Sequence, residues 1–400
     1  MTPKNLLFLV IILVAWITQS FLIHRQTSTN DICQNQIAAR FFFSQDSIYH
    51  LFPVTNCWQG YTRLSEQSSA YPPATILFFL PTAFLSSHTL TLSWDILSPF
   101  LYILIIINFL FLVGYLRFWL VATLFTLSTL WVGLLNSYAA RNLNLLLLTL
   151  IFLAFSVYRH RPSWAGFLIG IAALLKIWPL LFLIPQMFSS LHRRITYSGL
   201  ITFALGISIS LLIFSPFSYR SYISRVIPFE KNFFRSTSNS SLTSMLYKTR
   251  LGVQDPDYPA PPEYINQVLV FYIIFLLLLQ ITTLRHISAI SPYFSLIIPL
   301  FLVFFPLSWD NGLLFLLFPL AILIRNLRRF SPYLSQKDFF LLAAGFLPMW
   351  LPYTHEILTK VFLQLPLTPA FSGILYILLI IFSSLPLLIN FVLTDKFSRA

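Results

Sequence analysis

Lys176 stands in Ala172-Ala173-Leu174-Leu175-Lys176-Ile177-Trp178-Pro179, with apolar neighbours on both sides. An ammonium in such surroundings is costly and is seldom kept without a task. It is either a stem that snorkels to an interface or a fixed cation at the turn of a broken helix, suited to a lipid phosphate. Asp310, in Pro306-Leu307-Ser308-Trp309-Asp310-Asn311, is either a plain turn residue or an acid facing the same cavity. Asp31 lies eight residues past the end of the apolar run 6–23. A carboxylate there takes a proton from a hydroxyl once its neighbours hold it in reach, though any loop acid fits that description. The two cysteines, Cys33 and Cys57, both fall in the same polar stretch. They suit a disulfide worth about 3 kcal/mol in an oxidising compartment; the spacing equally allows two free thiols.

The histidines show no metal-ligand spacing, and no acidic cluster suits Mg²⁺ or Ca²⁺. A Gly-rich phosphate loop, a Gly-x-Ser-x-Gly elbow and a dinucleotide fingerprint are all missing. No metal and no cofactor are expected, and any transferable group should arrive on a lipid.

These residues must be positioned by an unusual chain. Of its 400 residues 57% are hydrophobic and only 9% charged, against about 25% charged in a soluble domain. Soluble enzyme, DNA-binding domain, disordered tail and disulfide-rich secreted module are excluded together. The apolar residues suffice for about eleven crossings at roughly 20 residues each. The formal charge of +13 belongs to short basic loops, as the positive-inside bias requires, and not to a nucleic-acid surface. Only 11 glycines argue against crossings packed through Gly-rich seams.

Apolar runs follow at 6–23, 72–87, 90–115, 118–135, 142–158, 163–188, 196–215, 265–284, 292–307, 311–325, 338–353 and 371–393. Polar segments 24–70 and 216–264 are expected on the outer side, and the amino terminus, preceded by Lys4, in the cytoplasm. The run 163–188 lies between basic clusters that both belong inside, so one crossing cannot serve it. It should rise through 166–175, turn at Lys176-Ile177-Trp178-Pro179 and return through 180–188. Pro179 motivates the break, which is tolerable only where the backbone is buried in protein or lines a cavity. By the same count 72–87 is partial or juxtamembrane. The expected fold is an all-α polytopic membrane protein, a single domain over 1–400 with about twelve crossings and a structured first outer loop at 24–70.

Several stretches, in order, resemble glycosyltransferase family 87, the polyprenyl-phosphate-sugar-dependent transferases of the GT-C fold class. Asp31 through Ala38-Ala39 is similar to its acid after the first crossing, and Tyr71-Pro72-Pro73 to its Tyr-Pro-Pro segment. Arg159-His160-Arg161-Pro162 through Gly166, Gly170 and Lys176-Ile177-Trp178-Pro179 is the closest match. Asn239-Ser240-Ser241-Leu242 resembles an Asn-Gln-Ser element, and Ser308-Trp309-Asp310 a Trp-Asp-His element. Two departures stand out: Arg141-Asn142-Leu143-Asn144 where the family often has Gly-Gln-x-Asn, and Asn311 where it often has His.

The resemblance implies a GT-C-like bundle and an inverting mannosyl- or arabinosyl-type transfer on the outer face. The donor would be a polyprenyl-phosphate sugar and the acceptor an envelope glycolipid or glycan; membrane lipids would surround it. Asp31 would be the general base, and Lys176, with Arg63 or Arg141, would hold the leaving phosphate. Tyr71, Asn142, Asn144, Asn239, Trp309 and Asp310 would bind substrate. The rival readings are a lipid-linked sugar flippase, which has no use for a base in a structured loop, and a non-catalytic subunit of an envelope-assembly complex, in which Asp31 and Lys176 would be dispensable.

Overall fold

The computed structural model describes residues 3–25, 30–44, 46–53, 56–57, 66–127, 134, 137–138, 140–183, 193–230, 298, 314–315 and 317–330. Helix dominates them. Helix α1, Pro3–Arg25, is apolar over most of its length, and much of its surface faces outward, with Leu7 59% and Ile17 64% exposed. Only a lipid environment suits such a surface. Among the described residues, three stretches are long and apolar enough to cross a membrane: Pro3–His24, Ser87–Val113 and Arg193–Val226. The expected twelve crossings reach beyond the described residues.

Helix α2, Asp31–Phe43, starts at an Asn30 cap whose Oδ1 accepts the Cys33 amide at 3.2 Å. Asp31 in its first turn and Arg40 in its last turn both complement the helix dipole. Its inner face carries Gln34, Asn35 and Gln36, all buried. Facing it, Pro73 opens the short helix α3, Pro73–Ile76, where its missing amide costs nothing. A 3₁₀ stretch, Leu77–Phe84, continues from there. Gln36 Nε2 donates to the carbonyls of Thr82 at 2.8 Å and Leu85 at 2.9 Å, and Arg40 reaches the carbonyls of Ala83 and Leu85. These bonds satisfy carbonyls that a 3₁₀ end leaves open. Strands β1, Phe52–Pro53, and β2, Glu66–Gln67, pair antiparallel across the same segment. The run 72–87, expected to be partial or juxtamembrane, folds as this short α3–3₁₀ stretch.

Helix α4 is Ser87–Val113 and α5 Phe118–Leu127. Helix α6, Asn144–Val157, and helix α7, Pro162–Leu175, follow. Helix α7 ends where the sequence demands. Continued to Pro179 it would lose an amide donor and press the proline ring on the Leu175 carbonyl. The chain instead extends at Lys176 (φ −148°, ψ 131°) and re-enters a 3₁₀ turn, Trp178–Phe182.

Helix α8, Arg193–Ser221, bends at Ser215, whose φ of 66° precedes Pro216. A π turn, Tyr222–Val226, and a last helical turn, α9, Ile227–Glu230, extend it. The first fifteen residues of the segment 216–264, expected to be a loop, are thus helical. Proline opened a kink there without ending the helix.

Glycine contributes more than its low count foretold. A side chain at Gly166 would fall on the Ile195 carbonyl, and one at Gly170 would come within 2.7 Å of the Gly199 carbonyl. Gly166 and Gly170 form a Gly-x-x-x-Gly face that lets the backbones of α7 and α8 meet. The expectation against Gly-mediated packing fails at this seam. By itself, helix α10, Leu317–Phe330, ends in the basic cluster Arg325, Arg328 and Arg329.

Candidate functional site

Lys176 emerges from the broken end of α7. Its amide still bonds the Ala172 carbonyl at 3.0 Å, which fixes the residue as the helix unwinds. The carbonyls of Leu174 and Leu175 are met by Thr75 Oγ1 at 2.9 and 3.1 Å. Helix α3 is thereby tied to the base of the turn. From that turn Lys176 Nζ donates to Asn144 Oδ1 at 2.8 Å. Asn144 begins α6, and its amide donates to Asn142 Oδ1 at 3.0 Å. Both asparagines are buried, and Asn142 Nδ2 finds no hydrogen-bond partner among the described residues. A buried donor left open costs about 1–3 kcal/mol, so the site holds an amide that an incoming oxygen would satisfy.

Asp31 approaches from the other side. It opens α2, half-buried, with its cap Asn30 anchored by Nδ2 to Thr91 Oγ1 on α4 at 3.0 Å. Burial raises the Asp31 carboxyl from 3.8 to about 6, and the charge of Lys176 pulls it partly back. The carboxyl and the ammonium therefore lie within electrostatic reach, although 145 positions separate them in the chain. A carboxylate poised near neutrality is what proton transfer requires.

Two further ties hold α2. Cys33 is disulfide-bonded to Cys57, with 5.5 Å between the Cα atoms, and packs with Phe52. Gln34 accepts the Ala70 amide, and Asn35 accepts the Ser69 hydroxyl. Tyr71 is buried, its carbonyl accepting the Tyr49 hydroxyl at 2.8 Å; burial holds the Tyr49 phenol well above its usual range. The far end of α2 walls an open groove of about 570 Å³ with Ile37, Arg40 and Phe41, opposite His50, Phe52 and Asn56.

Arg141, expected at the leaving phosphate, pairs with an acid on α4. It is 2% exposed, and its guanidinium grips Asp95 through Nε–Oδ1 at 2.7 Å and Nη2–Oδ2 at 3.1 Å. Asp95 is wholly buried and also takes His24 Nδ1 at 2.9 Å. A cation paired in this manner is neutralised before any phosphate arrives. Sequence reasoning passed over Asp95, although it is the lone acid inside the run 90–115, which is the signal an intramembrane functional group leaves.

Lys176, Asn142 and Asn144 are joined by hydrogen bonds, Asp31 lies within electrostatic reach of Lys176, and Tyr71 precedes the helix α3 that is tied to the turn. Arg63, Asn239, Trp309 and Asp310 lie outside the described residues. Among the described residues, no group of three or more His, Cys, Asp or Glu could hold a metal ion.

Compared with known proteins, the family model for glycosyltransferase family 87 matches residues 70–306, more than half of the chain. The match takes in Tyr71, Arg141, Asn142, Asn144, Lys176 and Asn239 and begins after Asp31. No curated protein and no solved structure matches the chain.

Proposed function

The chain belongs to glycosyltransferase family 87, and from that premise we propose that it moves a sugar, mannose or a close relative, from a polyprenyl-phosphate donor to a glycolipid or glycan acceptor. The reading rests on one observation: a carboxyl raised by burial to about 6 sits under the influence of the Lys176 ammonium at a helix break. Asp31 takes the proton of the acceptor hydroxyl. The hydroxyl oxygen forms its bond to the anomeric carbon from the face opposite the phosphate, so configuration inverts. The carbon–oxygen bond to polyprenyl phosphate breaks, and the electron pair leaves on the phosphate. Lys176 stabilises that charge, and a fixed cation in a poorly solvated groove is worth far more than one in water. Asn144 aims the ammonium through its Oδ1, and Asn142 Nδ2 supplies a donor to the incoming substrate. The acceptor chain lies along α2, in the groove beside Arg40 and Phe41. The Cys33–Cys57 bond supports an active site on the oxidising, outer face, with the amino terminus of α1 in the cytoplasm.

The test is transfer in membranes supplied with polyprenyl-phosphate mannose, read by the mass of the glycosylated acceptor. D31N and K176A should each lower the rate about 100-fold or more at equal protein level. Undiminished transfer by D31N removes the base assignment. Movement of labelled lipid across the bilayer with no glycosidic product turns the reading toward transport.

A further inference from the structure

Asp95 and Thr91 are four residues apart on α4 and so share one helix face. Each reaches toward a different half of the site. Thr91 Oγ1 accepts from Asn30 Nδ2 at 3.0 Å, and Asn30 is the cap from which Asp31 projects. Asp95 holds Arg141 with two bonds, at 2.7 and 3.1 Å. Arg141 Nη2 also donates to the Ile23 carbonyl near the end of α1, at 3.2 Å.

Arg141 adopts φ 47°, in the left-handed region. A non-glycine residue rests there only where its surroundings over-determine it. That turn makes Asn142 Oδ1 available to the Asn144 amide, which opens α6 and presents Asn144 Oδ1 to Lys176. A continuous series of bonds thus runs from Asp95 through Arg141 and the two asparagines to the ammonium. A second, shorter one runs from Thr91 to the base.

We propose that Asp95, with Arg141 and Thr91, is a positioning unit of the transferase: one face of α4 sets the separation of Asp31 and Lys176, and Arg141 serves this unit and not the leaving phosphate. The inference rests on the reading of Asp31 and Lys176 given above. A purely structural ion pair would not require the carboxylate to share its helix face with the anchor of Asn30.

The decisive variant replaces both charges, D95L/R141M. An apolar pair of similar bulk often supports a fold as well as the buried ion pair it replaces, so full-length protein should reach the membrane. Its kcat should fall about 100-fold, as expected for a displacement on the order of 1 Å at the reacting groups. The pH profile separates positioning from mere loss of active molecules. Lys176 lowers the Asp31 carboxyl, so a displaced ammonium moves the acid limb of kcat/KM to higher pH, whereas fewer active molecules scale the profile without moving it. Among the described residues, Lys176 is the charge acting on Asp31, and His24, His88, Asp95 and Arg141 gather at the adjoining ends of α1 and α4. The limb is therefore read in H24Q and H88Q as well, where it should keep its wild-type position.

T91V covers the case in which the double variant does not fold, because it removes only the anchor of Asn30. It should lower kcat several-fold and shift the same limb. Wild-type kcat and limb in folded D95L/R141M overturn the proposal; if that variant does not fold, wild-type values in T91V do so. D31N runs in parallel: if it is inactive while D95L/R141M is fully active, the positioning unit falls and the base stands. If D31N is active, both fall.

Discussion

Asp31 and Lys176 act on one another, yet the segments that carry them are secured by opposite means. The base's segment is held by a disulfide, by buried amides that bond the Thr82 carbonyl and the Ser69 hydroxyl, and by a two-strand pairing. The cation's segment is held by glycine faces, an interrupted helix and a buried ion pair. Amide clasps need polar groups on both sides, which α2 and the described residues 66–86 supply; at the α7–α8 seam the Ser198 hydroxyl meets the Ser163 carbonyl at 2.6 Å, and glycine makes the close approach. Where side chains are apolar, helices gain stability by close approach and directional rigidity by a broken end. The comparison implies that damage to the two halves should look different, and three perturbations test that.

The largest effect is expected at the seam. G166A places a methyl group on the Ile195 carbonyl and within 2.9 Å of the Gly199 nitrogen, and backbone cannot rotate away as a side chain can. Overpacking of this kind costs about 1–3 kcal/mol, and it spreads α7 from α8 near the amino-terminal end of α7, a rigid helix that leads on to Lys176. Melting temperature and kcat should both drop, kcat about 100-fold, while the Cys33–Cys57 bond stays closed to thiol reagents. A variant with normal melting and normal rate would show that the seam does not govern the cation.

Removing the disulfide should do less. C33S/C57S releases a closure of 24 positions, worth about 2–4 kcal/mol, but the amides of Gln34, Asn35 and Gln36 still hold α2 to the 69–85 backbone. A rate reduced about tenfold or less is expected, together with a lower melting temperature. Lys176 should be untouched: combined with K176A, the loss of rate should add, as it does for perturbations without shared partners. A collapse as deep as that of G166A would make the covalent tie, and not the amides, the main support of the base.

These contrasts were only partly visible in the sequence. The break after Leu175 was legible because Pro179 forbids continuation, and Lys176 because it is a lone cation among apolar residues. The long apolar runs gave away α1, α4 and α8. The seam was also written out, as Gly166-x-x-x-Gly170, but a low overall glycine count drew attention from where the glycines stand. Asp95 was equally visible; its partner was not, because Arg141 lies 46 positions away and its left-handed turn depends on that contact. Three consecutive buried amides in α2 read as an ordinary polar loop until their partners, the Ala70 amide, the Ser69 hydroxyl and the Thr82 and Leu85 carbonyls, are placed. Local sequence announces helix breaks; long-range hydrogen bonds announce themselves only in three dimensions.

The smallest effect is the most discriminating about how the base is held. Burial raises the Asp31 carboxyl to about 6, above its unfolded value of 3.8, so the fold favours the protonated form. For a carboxyl shifted upward, that contribution to stability is complete below pH 3.8 and is lost as pH rises through about 6. At pH 7.5 the ionised group opposes the fold, which its disulfide and amide ties must outweigh. D31N substitutes a neutral amide of nearly the same shape and removes that opposition. The inactive variant should therefore melt higher than the wild type at pH 7.5 by a few degrees. The gap should narrow as pH falls and close by about pH 4, where both side chains are neutral. A gap independent of pH would mean that the asparagine gains by new contacts. A D31N protein that melts lower at pH 7.5 would mean that Lys176 stabilises the carboxylate more than burial penalises it, and the base would then sit at no cost to the fold.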